Sequence, residues 1–459
     1  MKIAVLNGSP KGQTSVTMQY VNFLQLKFPE VTFQFFDVAQ KIKKLEVNED
    51  EFELVIGEIS AADAVLWAFP LYFFLVSSQY KRFIELIFER NSSWAFRGKP
   101  AAVLSTSINF FDHTAHNYMN SVCDDLEMKF IASYSAEMND LLKSKERRRL
   151  QLFGELFLRA VKEGSPAIRN NRPLIPSSTV YMPEDLKPVE TYGKKILIVA
   201  DDISQDNNLR SMVRNLQNTF FPQAQLLQLK DIDIKGGCLG CIQCGMDNHC
   251  IYEGEDGFID FFNGQIKTAD VLFFAGCVSD RFLSACWKCF FDRSFFNGHI
   301  PVLKDRQIGF IIGGPFRQLY NLREILEAYV EMQHANLIGF VSDDAGSSAE
   351  INESLQSMAD HAVSYSRAGY LRPPTFLCIG GKKLLRDAVW GRMRPAFQAD
   401  HRYFRKHDYY DFPQKRYKWR LINDILITLT KIPPLRREFT KRIKEEMVRP
   451  FSKVLARLK

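Results

Sequence analysis

The chain repeats itself, and that repeat limits the folds open to it more than any other feature. KIAVLNGS at Lys2–Ser9 returns as KILIVADD at Lys195–Asp202, 193 residues later. ADAVLWAFPLYF from Ala62 returns as ADVLFFAGCVSD from Ala269, and PAAVLSTS from Pro100 returns as QIGFIIGG from Gln307, both at an offset of 207. Two copies of one pattern must bury two similar sets of strands. The two offsets differ by 14, so the second copy carries extra chain between its first strand and ADVLFF.

Within each copy, short continuous apolar runs (IAVLN, AVLWAF, AAVLST; ILIVA, VLFFAG, IGFIIGG) alternate with longer segments of helical period. Unbroken apolar strands are those covered on both faces, and the alternation with helices reads as a doubly wound α/β unit. Ligands of such sheets bind beyond the carboxyl ends of the strands, so the residues just after each strand are the ones to inspect. At 459 residues, 46% apolar and 25% charged, the chain can build more than one core. Met1 leads straight into a strand, and no apolar run approaches the ~20 residues that span a bilayer. Nine cysteines in this length suggest no disulfide framework, and a reducing, cytoplasmic setting is expected.

The extra chain of the second copy contains GGCLGCIQCGMDNHC, with Cys238, Cys241, Cys244 and Cys250 at spacings of two, two and five residues. Thiolates are soft ligands suited to iron and zinc, and the glycines let a loop curl round a compact centre. The crowding suggests an iron-sulfur cluster; structural zinc, which favours CxxC pairs held well apart, is the other reading. After the first strand of the first copy, NGSPKGQTSVT leads into a helix beginning near Ser15. Gly8 and Gly12 can turn amides inward, and Ser9, Thr14, Ser15 and Thr17 add hydroxyls at a helix N-terminus, with Lys11 adding charge: a phosphate cradle, or an ordinary capped turn.

The GSPKGQTSVT loop, together with AFPLYFFLVSSQYKRFIELI, resembles the NADPH-dependent FMN reductase and iron-sulfur flavoprotein families of flavodoxin-like fold. The resemblance covers residues of about 1–130 and 194–345. It implies that Ser9, Lys11, Ser15 and Thr17 hold the FMN phosphate, that Pro70, Leu71, Tyr72 and Phe73 cradle the flavin, and that Thr106 and Ser107 close its other side. The CxxCxxCx5C run followed by YEGEDGF is similar to the motif that binds a [4Fe-4S] cluster in iron-sulfur flavoproteins. The implied architecture is two tandem flavodoxin-like doubly wound parallel-sheet domains plus a basic, mainly helical C-terminal extension. Its divisions are 1–135 (FMN domain), 136–193 (helix and Pro-rich linker), 194–367 (cysteine-loop domain) and 368–459 (extension).

The second copy departs from the family where phosphate would bind. Asp201 and Asp202 stand in place of Gly8 and Ser9, and Cys277, Val278, Ser279 and Asp280 replace the PLYF wall. Two carboxylates repel a phosphate, so the second copy is expected to have lost its FMN. One copy keeps the flavin and the other the cluster, an intramolecular pseudo-dimer that could assemble further. The expected activity is electron transfer between NAD(P)H or a redox protein, FMN and the cluster. The alternatives are a simple FMN or quinone reductase with a structural cysteine loop, and a non-catalytic zinc-stabilised scaffold.

Other residues invite bland readings. Cys286 and Cys289 are expected on a helix as packing thiols, and Cys123 and Cys378 in cores. His113 and His116 could approach a flavin ligand, but a solvated or capping pair is the commoner arrangement. Glu146 to Gly164 reads as an amphipathic helix with Leu150, Phe153, Phe157 and Val161 on one side, followed by a proline-rich strap to Gly193. From His401 on there are 17 Lys/Arg against 6 Asp/Glu, although the whole chain is only +7. Leu421, Ile425, Leu426 and Leu429, then Phe439, Ile443 and Met447, recur at helical spacing near Tyr417 and Trp419, which suits a packed helix, an acidic partner protein or an anionic membrane surface. No motif supports nucleic-acid binding.

Overall fold

A computed structural model describes residues 1–204, 206–412, 417–442 and 449; Ile443, Met447 and the Trp419 side chain lie outside the described residues. One compact unit runs Met1–Tyr403 and a second Phe404–Lys459. The first contains two five-stranded parallel sheets. The strands are β1 (Lys2–Asn7), β2 (Thr32–Phe36), β3 (Ala64–Pro70), β4 (Pro100–Ser107) and β5 (Lys129–Glu137), then β6 (Val189–Glu190), β7 (Ile196–Ala200), β8 (Phe220–Phe221), β9 (Gln225–Gln228), β10 (Val271–Cys277), β11 (Gln307–Gly313) and β12 (Asn336–Ser342). One sheet is ordered β2-β1-β3-β4-β5 and the other β9-β7-β10-β11-β12, while β6 and β8 form a short pair. Both large sheets thus have flavodoxin-like order, in which the direction of winding reverses beside the first strand. The repeat in sequence is a repeat in fold.

The helices of the first copy are α1 (Val16–Lys27), α2 (Ile42–Val47), α3 (Glu49–Ser60), α4 (Ser78–Glu89), α5 (Asp112–Asp125) and α6 (Ser144–Glu163). Those of the second are α7 (Asn207–Thr219), the single turns α8 (Cys244–Asp247) and α9 (Phe258–Phe261), α10 (Ala285–Ser294), α11 (Tyr320–Met332) and α12 (Ser348–Ala368). Then come α13 (Phe376–Trp390), α14 (Gln398–Lys406) and α15 (Tyr417–Leu429). The expected amphipathic helix is α6, with Leu150, Phe153 and Phe157 buried and Val161 half-buried. In the second unit, α15 leaves Leu421, Ile425, Leu426 and Leu429 exposed. Among the described residues no helix is long and apolar enough to cross a membrane.

The two copies join through α4 and α10, at positions 207 residues apart. Ser77 caps α4 through Tyr80 N–H, and its equivalent Ser284 caps α10 through Trp287 N–H. Each helix then receives a carboxylate from the other. Asp292 accepts from Ser78 N–H at 2.7 Å, and Glu85, its equivalent, accepts from Ala285 N–H at 2.7 Å. Carboxylates at helix N-termini satisfy orphan N–H groups and the positive end of the dipole. Each acid is in turn paired with a lysine four residues earlier, Lys81 with Glu85 and Lys288 with Asp292, all four buried. The halves therefore exchange equivalent clasps about a pseudo-twofold axis.

The symmetry is incomplete. Lys81 also meets Asp280 at 3.0 Å, whereas Lys288 donates to the Tyr72 carbonyl at 3.0 Å. Burial opposes the charge on Lys81, but Asp280 and Glu85 outweigh it and raise its pKa. With a single carboxylate partner, Lys288 is pushed down by burial and Asp292 is pushed up by burial. The asymmetry lies where the Tyr72 loop, a candidate flavin wall, touches the second copy.

Candidate functional site

Parallel pairing of β3 with β4 sets Phe69 against Ser105 and Pro70 against Thr106, and Leu71 N–H donates to the Thr106 carbonyl at 3.0 Å. The chain then turns back sharply, with Tyr72 and Leu75 bonded to each other in both directions at 2.8 and 2.9 Å. Phe73 and Phe74, at the turn, have φ of +40° and +66°. Left-handed aromatic residues are strained by about 1–3 kcal/mol each. Packing holds them there: Phe73 contacts Phe291 and Tyr329 of the second copy, and Phe74 contacts Phe110 and Phe111.

This turn divides two cavities. The first, of about 270 Å³, takes in Lys11, Ser15, Pro70, Leu71, Phe73, Thr106 and Ser107, seven of the ten residues expected to hold FMN. Of the other three, Ser9 is buried beneath the loop, where its hydroxyl accepts from Lys11 N–H at 3.2 Å. Thr17 is buried with its hydroxyl 2.6 Å from that of Thr106. Tyr72 faces the second cavity. Ser15 caps α1, accepting from Met18 N–H at 3.3 Å, so a hydroxyl and a lysine stand at the positive end of a helix, while the rest of the wall is largely apolar. A group with an anionic tail and a flat apolar body fits that distribution of donors.

The second cavity, of about 230 Å³, is bounded by Cys238, Cys241, Cys244 and Cys250 together with Tyr72. The loop that carries the thiols lies against the first copy, for Gln79 donates to the Cys238 carbonyl at 3.0 Å. Gly240 has φ +63°, and a Cβ there would stand 1.9 Å from the Tyr72 hydroxyl. Only glycine allows both the left-handed turn and this approach. Gly240 N–H also points at Cys238 Sγ, 3.4 Å away. Burial pushes the Cys238 and Cys244 thiols up to about 12. Metal binding would have to displace those protons. Among the described residues no three His, Cys, Asp or Glu side chains are grouped as ligands of one ion. The four thiols nonetheless border one cavity, with an N–H directed at one of the sulfurs.

Sequence reasoning did not single out the clasp behind this loop. Arg293 is buried, grips Asp256 through two bonds of 2.8 and 2.9 Å, and donates to the Gly236 carbonyl at 2.9 Å. Burial works to raise Asp256, but Arg293 outweighs it and holds the carboxyl below its ordinary range. Asp256 is the end of the YEGEDGF acidic pair, so its motif was visible although its partner was not. Phe295 and His299, just after α10, and Phe397, before α14, also close the first cavity and lack any sequence signal.

The two histidines near β4 lie elsewhere. His113 Nε2 is 2.9 Å from Glu324 of the second copy, and His116 Nε2 is 2.7 Å from Ser105 Oγ; burial pushes His116 down to about 4. Neither borders the first cavity. Cys286 and Cys289 stand on α10, and burial pushes both thiols up. Over the carboxyl edge of the second sheet runs the proline-rich strap. Ser177 donates to the Asp343 carbonyl at 3.1 Å, and Asn208 donates to the Thr179 carbonyl at 2.6 Å and to Asp343 Oδ2 at 2.9 Å. Asp201, buried beside Ser284, is pushed up to about 6 by that burial.

The family model described as NADPH-dependent FMN reductase matches residues 1–140. Similar solved structures include the NAD(P)H:(acceptor) oxidoreductase FerB of Paracoccus denitrificans, 18% identical, with 36% of this chain and 98% of that one covered and a TM-score of 0.28. An FMN-dependent NADH-azoreductase of Bacillus anthracis is 13% identical over 36% of this chain and 98% of its own, at 0.25. The NADH:FMN oxidoreductase EmoB is 15% identical over 38% and 97%, at 0.30. No curated protein matches the sequence. The family match thus falls on the first copy, residues 1–140, whose sheet has flavodoxin-like strand order with the GSPKGQTSVT loop after β1.

Proposed function

We propose that the chain is an NAD(P)H-dependent flavin oxidoreductase in which FMN in the first copy exchanges electrons with a [4Fe-4S] cluster held by Cys238, Cys241, Cys244 and Cys250 of the second. One observation carries this reading: Lys11, Pro70, Leu71 and Phe73 border both cavities, so the two cofactors would share a single wall. Bound FMN would supply the exchange between two-electron and one-electron carriers. Lys11 and Ser15 would hold its phosphate at the α1 N-terminus, with Ser9 and Thr17 shaping the loop from below. Pro70, Leu71 and Phe73 would support the ring system, Thr106 and Ser107 its other side, and Tyr72 would stand between flavin and cluster.

In this reading residues 1–135 are the FMN domain, 136–193 the connector, 194–367 the cysteine-loop domain with a degenerate flavin site, and 368–459 the basic extension. The strap and the paired Asp201 and Asp202 account for the loss of a second flavin. Donors and acceptors are small molecules or a redox protein. The test is anaerobic purification with FMN, iron, sulfide and zinc measured per chain. About one FMN with four irons and four sulfides, the content of one cluster, is expected. FMN without iron would leave a simple reductase with a structural cysteine loop, and zinc without flavin would refute the enzyme reading.

A further inference from the structure

We propose that His299, held by Asp400, is the proton donor to the carbonyl oxygen of an apolar acceptor, a quinone or an aromatic carbonyl compound, bound in the flavin-side cavity. This rests on the FMN reading above. His299 follows α10 of the second copy, yet borders the same cavity as Thr106 and Ser107 of the first. Asp400, 1% exposed, accepts from the His299 backbone N–H at 2.9 Å through Oδ1 and meets the ring Nδ1 at 2.5 Å through Oδ2. Gly298 makes that double grip attainable, since a Cβ there would lie 2.3 Å from Asp400 Oδ1. Phe295 and Phe397 flank the ring, with centroids 5.1 and 5.3 Å away.

A carboxylate on Nδ1 fixes the ring's tautomer and orientation and leaves Nε2 to act. Nε2 has no hydrogen-bond partner among the described residues, and the side chain keeps 14% exposure at the cavity. A histidine serving only to pack would not need a buried carboxylate and an unengaged Nε2 at a cavity wall. The other polar group nearby, Gln333, already accepts from Val302 and Leu303 N–H at 3.0 and 3.2 Å. The rest of that end is Ile108, Phe110, Met138, Met332, Leu385 and Met393, a lining for a flat apolar molecule. The balance closes without another reagent. NAD(P)H provides two electrons and one proton as a hydride equivalent, the acceptor C=O becomes C–OH by taking the second proton from Nε2–H, and neutral His299 regains a proton from solvent.

The test compares wild type, His299→Gln and Asp400→Asn, each loaded with FMN and reduced by NADH, then reoxidised by menadione or by ferricyanide, which takes up electrons without a proton. The menadione-to-ferricyanide rate ratio is expected to fall by about 10²–10⁴ in His299→Gln, the range of general acid catalysis, and by less in Asp400→Asn. An unchanged ratio, including an equal loss with both oxidants, would overturn the proposal. A second readout needs no flavin: calorimetric binding of menadione to the FMN-free protein should weaken roughly tenfold in His299→Gln, for one lost hydrogen bond. Unchanged binding there overturns the contact. Failure of wild type to bind FMN would sink the flavin reading alone, and the flavin-free titration would still decide whether His299 meets the acceptor. If His299→Gln does not fold, Asp400→Asn carries both readouts.

Discussion

Replacing Lys81 by Met should weaken the junction of the two copies more than any other single change there. Lys81 is fully buried, 2.8 Å from Glu85 and 3.0 Å from Asp280, and both carboxylates are nearly as buried. Methionine fills similar space but leaves the buried Asp280 without a cation and Glu85 with only the partly exposed Arg82, 3.1 Å away. Breaking a buried pair in this way costs about 3–5 kcal/mol. With an unfolding entropy of about 2.1 cal/mol/K per residue, the 403-residue unit should melt roughly 4–6 °C lower. The loss should grow with pH. In wild type, burial works against the Glu85 charge but Lys81 outweighs it and holds its pKa low, so its stabilisation is present above the unfolded value of about 4.3 and is lost as pH falls. In the variant Asp280 loses the lysine that opposed its burial and Glu85 keeps only Arg82 and the Ala285 N–H, so both carboxyls shift toward protonation and stability falls as pH rises through the range where they would ionise. Scanning calorimetry and urea unfolding at pH 5 and 8 measure this. Lys288→Met should cost less, because it strands only Asp292, which burial already pushes toward its neutral form. A loss below about 1 kcal/mol, the scale of a surface pair, or one independent of pH, would refute the reasoning.

Arg293→Lys should release the cysteine loop, since lysine cannot make the two-pronged bond to Asp256 and still reach the Gly236 carbonyl; limited proteolysis between residues 236 and 252 should speed up with the flavin domain intact. Gly240→Ala should disturb both cavities, because its methyl would displace the Tyr72 hydroxyl; a destabilisation of about 1–3 kcal/mol is expected, with altered Tyr72 fluorescence or NMR shifts as the check. His116, held near 4 by burial, should lower stability as pH drops from about 6.5 toward 4, where the unfolded chain takes up a proton that the folded one refuses. His116→Phe should flatten that part of the stability profile, and an unchanged slope would show that another group sets it.

Joining two copies in one chain explains why their sites have diverged. In a symmetric dimer any change to the loop after β1 would alter both flavin sites at once. Here Asp201 and Asp202 stand in the second copy where the first has Gly8 and Ser9, the strap is bonded at Ser177 to the carboxyl edge of the second sheet, and the cysteine loop meets the first copy's Tyr72 turn. The reciprocal clasp between α4 and α10 holds the two surfaces in a fixed relation.

The sequence by itself determined what local pattern can determine. Buried parallel strands are unbroken apolar runs, so IAVLN, AVLWAF and AAVLST and their repeats announced the two sheets, and the offset of 207 announced that β3 and β4 recur as β10 and β11. Edge strands such as TFQFF and QLLQ, half exposed and mixed in character, gave no such signal. The four cysteines and the GSPKGQTSVT loop were legible because their chemistry is concentrated in short segments. Tertiary structure alone decided which groups meet. That the cysteine loop and the flavin loop share a wall depends on a pseudo-twofold packing of helices 207 residues apart. His299 and Asp400, separated by 101 residues, become a pair only because the chain at Asp400 packs against the turn after α10, and a contact made by long-range burial leaves no periodicity or spacing in the chain to read.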